Sequence, residues 1–221
     1  MKETIAYLAL VLCVQAPASD SSAITLELTQ IVSAEGVTGT ALWCPAEFFR
    51  DALQSKEKYS PEEVEKILDA FRDVNLFAVI CGEIAQGKPS YAAPASIAQR
   101  LTLRVASGNE ISPLSDDAIS PELRSFAAAM RPVLAGSLGP TGKNMALVFF
   151  PGRDKEGKRG LDPFSPGSFR LKVRDFPAAG RHLEFRWRLP LDSLLPPKEC
   201  PKCHERCKGS WSFCPWDGSK L

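Results

Sequence analysis

Four cysteines and an aspartate near the C-terminus are spaced for metal chemistry. Cys200-Pro201-Lys202-Cys203 is a C-x-x-C turn, and Cys207 follows four residues on. Cys214-Pro215-Trp216-Asp217 begins eleven residues after Cys203, with the same frame and an aspartate in the last place. A two-residue spacer lets both side chains of a turn aim at one centre while turn amides bond the sulfurs. Two such turns facing each other complete a tetrahedron suited to Zn²⁺. The 22 residues from 200 to 221 bury too little apolar surface to hold a fold alone. A metal ion or a disulfide must hold them, with Trp211, Phe213 and Trp216 as the expected cover.

This tail resembles the bacterial zinc-ribbon modules, whose short hairpins carry Cys-Pro-x-Cys-Gly and then Phe-Cys-Pro-x-Cys-Gly. The resemblance covers residues 200–221 only and is most specific at Phe213-Cys214-Pro215-Trp216-Asp217-Gly218. It departs at His204, where the family has glycine, and at Asp217, where the family has its fourth cysteine. The resemblance implies one structural Zn²⁺ with Cys200, Cys203 and Cys214 as ligands. The fourth place stays open. Cys207 offers the softer and stronger donor, Asp217 has the right register, and His204 is a distant third. Without a metal, Cys200, Cys203, Cys207 and Cys214 would form two disulfides in one of three connectivities. A thioredoxin-like role needs the C-x-x-C at a helix N-terminus after a strand. Here it follows a proline-rich stretch and precedes a hairpin.

Other motifs carry less chemistry. Gly136 to Asn144 has a glycine-rich, Gly-Lys character, but Ser137 stands where a phosphate loop needs glycine and Asn144 where it needs a hydroxyl. A helix precedes the segment and a strand follows it, the reverse of a phosphate cradle. Arg153 to Arg159 is a mixed-charge loop without interleaved aromatics for base stacking. The chain has two histidines, His182 and His204, and no Gly-x-Ser-x-Gly, His-Glu-x-x-His or dinucleotide fingerprint. General bases are therefore scarce, and a non-enzymatic role is expected.

These residues must be positioned by a larger body. Ile24, Leu26 and Leu28 alternate with polar residues, which predicts a strand. A second strand is expected over 36–44 and a short helix after Pro45 with Phe48, Phe49 and Leu53 inward. Ser60-Pro61-Glu62-Glu63 predicts a capped helix with Val64, Ile67, Leu68, Phe71 and Val74 at helical spacing. Leu76 to Cys81 is an apolar run fit for a strand buried on both faces. Another strand is read at 101–105, a helix from Ser120 with Leu123, Phe126, Met130, Val133 and Leu134 inward, and a strand at 145–150. Strands over 169–173 and 183–189 close the body. Cys44 and Cys81 each end a predicted strand. They either pair as a disulfide or sit as small buried side chains. The fold class expected is α+β. A strand-rich, β-sandwich-like main domain at 22–189 carries two or three helical insertions. A proline-rich linker follows at 190–199, then the small zinc ribbon at 200–221.

Composition bounds the function. The 221 residues carry 27 Lys+Arg against 26 Asp+Glu, for a net charge of +1, so nucleic-acid binding is not favoured. At the N-terminus, Ile5 to Val14 is an apolar run too short to span a membrane. With Ala16-Pro17-Ala18 after it, the run reads as a signal peptide at 1–18, cleaved after Ala18. Cys13 admits a lipoprotein reading, against which Leu12 stands where a small residue is expected. The expectation is an exported protein of the periplasm, envelope or medium, with no transmembrane helix in the mature chain. It would be a binding or structural module with a protein partner, its ribbon serving folding or docking. The alternatives are an intracellular ribbon protein that contacts nucleic acid or a partner protein, and a thiol-active or hydrolytic envelope enzyme.

Overall fold

The computed structural model of the chain describes residues 21–34, 36–54, 60–85, 88–106 and 108–221. The expected signal peptide, with Cys13 and its cleavage point, lies outside them.

Residues read as a first strand form helix α1 (Ser21–Leu28) instead. Ile24 and Leu28 are four apart, so they share one helix face and are buried, while Leu26 points to solvent at 76% exposure. A hydrophobic spacing of four satisfies period two and period 3.6 alike, which is why the alternation misled. Strand β1 (Thr29–Ala34) follows and pairs antiparallel with β2 (Val37–Cys44). Helix α2 (Ala46–Gln54) buries Phe48, Phe49 and Leu53 as expected. Helix α3 (Pro61–Arg72) opens on a complete capping box. The Glu63 amide donates to Ser60 Oγ at 3.3 Å, and the Ser60 amide to Glu63 Oε2 at 2.9 Å.

Strand β3 (Val74–Ala85) is the spine of the first sheet. It pairs with β2 along one edge. Its other edge is shared end to end by β4 (Lys88–Tyr91) and a later strand. The second sheet begins after helix α4 (Pro94–Arg100), with β5 (Leu101–Arg104) and β6 (Glu110–Ile111). Helix α5 (Pro121–Leu138), a short α6 (Pro140–Lys143) and β7 (Ala146–Pro151) follow. β7 is the strand that completes the free edge of β3. Strands β8 (Gly167–Arg174) and β9 (His182–Leu189) complete the second sheet, in the order β6-β5-β8-β9.

The two antiparallel sheets pack face to face, so the α+β, sandwich-like expectation holds. Ala41, Trp43, Phe77 and Val79 meet Phe169, Leu171, Phe185 and Trp187 in one core. Phe169 stacks on Trp187 with centroids 5.0 Å apart, and Trp43 meets Phe169 edge-on at 4.8 Å. The opposite face of β3 is buried too, at Leu76, Ala78 and Ile80. Phe49, Phe71 and Phe126 join α2, α3 and α5 in an aromatic knot. Glu47, 8% exposed, accepts a two-pronged bond from Arg159 at 2.8 Å for each prong, tying the polar 151–166 loop to α2.

The glycine-rich segment has a steric explanation. A Cβ on Gly142 would sit 1.9 Å from the Leu134 carbonyl oxygen. Only glycine lets α6 fold back on α5. Cys44 and Cys81 are both buried, and they are not bonded to each other. Their register partners on the neighbouring strand are Leu76 and Gly39. Cys44 thus lies level with Leu76, five residues along β3 from Cys81. At about 3.4 Å per residue that is far beyond disulfide reach. Burial pushes the Cys81 thiol up to about 12.

Candidate metal centre

The last segment hangs on the body through a chain of carboxylates. Leu191 is buried, and a 3₁₀ turn spans Asp192–Leu194. The Glu27 carboxylate of α1 accepts the amides of Asp192 (3.1 Å) and Ser193 (2.9 Å). Asp192 in turn accepts the Ser210 amide at 3.1 Å and pairs with Lys208 at 3.4 Å. A Cβ on Gly209 would lie 2.5 Å from Leu195 Cβ and 2.6 Å from the Pro196 oxygen, so the tail is seated closely on residues 195–196.

Beyond this seat, β10 (Lys198–Glu199) and β11 (Arg206–Cys207) form a small hairpin whose turn carries Cys200 and Cys203. A second turn carries Cys214 and Asp217, flanked by a bridge between Phe213 and Lys220. The two turns repeat one hydrogen-bond pattern. In the first, the Cys200 amide donates to the Glu205 oxygen (3.0 Å) and the His204 amide to the Cys200 oxygen (3.0 Å). In the second, the Cys214 amide donates to the Ser219 oxygen (2.7 Å) and the Gly218 amide to the Cys214 oxygen (2.9 Å). His204 and Gly218 occupy matching positions, and both have left-handed backbone, with φ of 59° and 74°. The equivalence matches Cys203 to Asp217 and leaves Cys207 outside the repeat.

One ligand atom each from Cys200, Cys203, Cys214 and Asp217 lie within 4.8 Å of one another. Cys203 Sγ and Cys214 Sγ are 3.6 Å apart, and Cys200 Sγ is 3.3 Å from Asp217 Oδ2. A tetrahedron with Zn–S bonds of about 2.3 Å has S···S edges of about 3.8 Å, and slightly shorter S···O edges. The donor set therefore fits such an ion in both chemistry and size. Asp217 Oδ1 accepts the Ser219 amide at 2.8 Å, which leaves Oδ2 facing Cys200. The aspartate is thus aimed by its own turn, a role for Ser219 that the Asp-Gly-Ser run could have suggested.

The electrostatics ask for a cation. Burial alone would raise the Cys200 thiol, but the amides of Cys203 and Lys202 outweigh it and hold it low. At Cys203 the Glu205 amide pulls the other way, yet burial and the neighbouring Cys200, Asp217 and Cys214 push it up to about 12. The Ser219 amide holds the Asp217 carboxyl well below the usual range. Four acidic groups in so small a volume cannot all ionise unless a positive charge joins them.

Cys207 lies beside the set rather than in it. It is buried with Cys200 and Cys214, and its thiol donates to the Glu205 oxygen at 3.6 Å. Burial, then Cys214, raises it above its ordinary value. Among the described residues, no disulfide joins one cysteine to another. His204 is exposed and bonds Glu199 at 3.0 Å, away from a ligand role. The expected aromatic cover is only partly realised. Trp211 and Leu221 pack against the cysteines, whereas Phe213 and Trp216 are 62% and 60% exposed. The remaining candidates fall elsewhere: His182 is exposed on β9, and Lys143 is exposed on α6.

No protein family matches the chain, and no curated protein does. Among solved structures, the chain is similar to a DUF4426 family protein from Pseudomonas aeruginosa PAO1. That match has 13% identity over 75% of this chain and 97% of that one, at a TM-score of 0.33.

Proposed function

We propose that the protein is an exported, non-enzymatic module whose C-terminal ribbon holds one structural Zn²⁺ through Cys200, Cys203, Cys214 and Asp217. The observation that carries the ligand set is the meeting of those four donor atoms within 4.8 Å, with the Cys203–Cys214 and Cys200–Asp217 edges close to those of a zinc tetrahedron. The ion would neutralise the crowded thiolates and close the two hairpins into one unit. No open coordination position is needed, so the site suits folding rather than catalysis. Export rests on the sequence of residues 1–18. A docking role for the ribbon draws support from exposed Phe213 and Trp216, the apolar surface a partner protein would cover. Nucleic acid is disfavoured, because residues 198–221 carry five basic against three acidic side chains.

The test is metal analysis and intact mass of protein taken from its native compartment, with the N-terminus mapped on the same sample. The expected result is one equivalent of zinc, lost to chelator, on a chain beginning at Ser19. Co²⁺ substitution then identifies the donors. Cys207→Ser retains a three-thiolate spectrum, and Asp217→Ala weakens binding at least tenfold. A metal-free chain lighter by two protons per cysteine pair would replace the ion with disulfides. Loss of binding in Cys207→Ser alone would move the fourth ligand.

A further inference from the structure

The outer face of the second sheet is a dense cationic surface. Arg104, Arg170, Lys172, Arg174, Arg186 and Arg188 point away from the core on β5, β8 and β9, and all but half-buried Lys172 are exposed. Register sets Arg104 opposite Arg170, and Arg170 opposite Arg186, so three guanidinium groups cross three neighbouring strands in one row. Strands lie about 4.8 Å apart, and like charges directly opposite destabilise a sheet. Two carboxylates offset the row. Glu184 pairs with Arg186 at 2.6 Å and Arg170 at 3.4 Å, and Glu110 is the register partner of Arg104. Among the described residues, Arg104, Lys172, Arg174 and Arg188 form no ion pair. In a chain of net charge +1, this is a segregated field rather than a general excess.

Five of the six cations are arginine, whose planar fork binds phosphate bidentately. The face carries no Phe, Tyr or Trp, so it offers nothing for bases of a single strand to stack on. It presents a broad strand array rather than a helix or ribbon narrow enough for a DNA groove. It also lacks the apolar centre of a protein interface. What remains is a flat array of phosphates. We propose that the β5-β8-β9 face docks the protein peripherally on the head groups of an anionic lipid bilayer, with Arg104, Arg170 and Arg186 as its centre. The metal centre takes no part.

The test is co-sedimentation of the full chain with vesicles of equal phosphatidylglycerol and phosphatidylcholine, and with phosphatidylcholine alone. The chain should bind the first at low salt, release at high salt, and ignore the second. Arg104→Gln and Arg186→Gln should each weaken partitioning about fivefold, and the triple variant with Arg170→Gln about a hundredfold. Glu184→Gln removes a counter-charge and should tighten it, which guards against loss through misfolding. Lys155→Gln, at an exposed position of the 153–159 loop, should change nothing. Failure to bind phosphatidylglycerol would overturn the proposal. So would a folded triple variant that binds like the parent, a Glu184→Gln variant that binds more weakly, or tighter arginine-dependent binding to a short DNA duplex or an acidic polypeptide.

Discussion

At the residue scale, His204 shows how a departure from a motif is accommodated. Its backbone takes the left-handed conformation that Gly218 takes in the matching turn. A side chain there costs about 1 kcal/mol relative to glycine. His204→Gly should therefore raise stability by about 1 kcal/mol in chemical denaturation of the metal-loaded protein. The His204–Glu199 contact it removes is exposed on both sides and contributes little. Glu47 gives the complementary case. Burial would raise its carboxyl, but the hydrogen bond and charge of Arg159 outweigh burial and hold it below the ordinary glutamate value. A carboxylate lowered by folding stabilises the native state above its unfolded value and loses that contribution as pH falls through the folded one. Urea midpoints should accordingly drop as pH is taken below about 4.5, and that acid limb should flatten in Glu47→Gln. At neutral pH the same substitution should cost about 2 kcal/mol, less than a fully buried pair because Arg159 keeps some solvent contact.

At the scale of elements, legibility followed the number of independent signals per segment. Helix α3 had a capping box, an N1 proline and an apolar stripe, and all three are realised. Ser60→Ala should cost about 1 kcal/mol by thermal unfolding. Strands β8 and β9 were equally plain, since Phe169, Leu171 and Val173 and then Leu183, Phe185 and Trp187 alternate inward as read. Helix α4 was missed because it buries only Ile97 and its N-cap, Ala93, makes no side-chain bond. α1 was misread because two apolar residues four apart fit either period. The short strands β4 and β6 draw their definition from partners distant in sequence, so nothing local marked them. In the candidate metal centre, three of the four clustered donors, Cys200, Cys203 and Cys214, were legible from knuckle spacing. The choice between Cys207 and Asp217 was not, because it depends on the backbone bonds of the second turn.

At the scale of the whole molecule, the body core and the cysteine cluster share no buried residue. Cys214→Ser should thus abolish metal binding and leave the two sheets folded, as read by far-UV dichroism and a single cooperative unfolding transition. Asp192→Ala should have a different signature. It keeps every ligand but cuts the bonds from Ser210 and Lys208, so metal affinity should fall only severalfold.

The grip of Glu27 on the turn at Asp192 and Ser193 spans 165 residues of chain. That turn is also where the final hairpins rest. The first described helix and the last hairpin must therefore fray together or not at all. Amide hydrogens on α1 should exchange faster when chelator strips the ribbon, though the four clustered donors lie far from them in sequence. An event at one terminus of the fold becomes readable at the other.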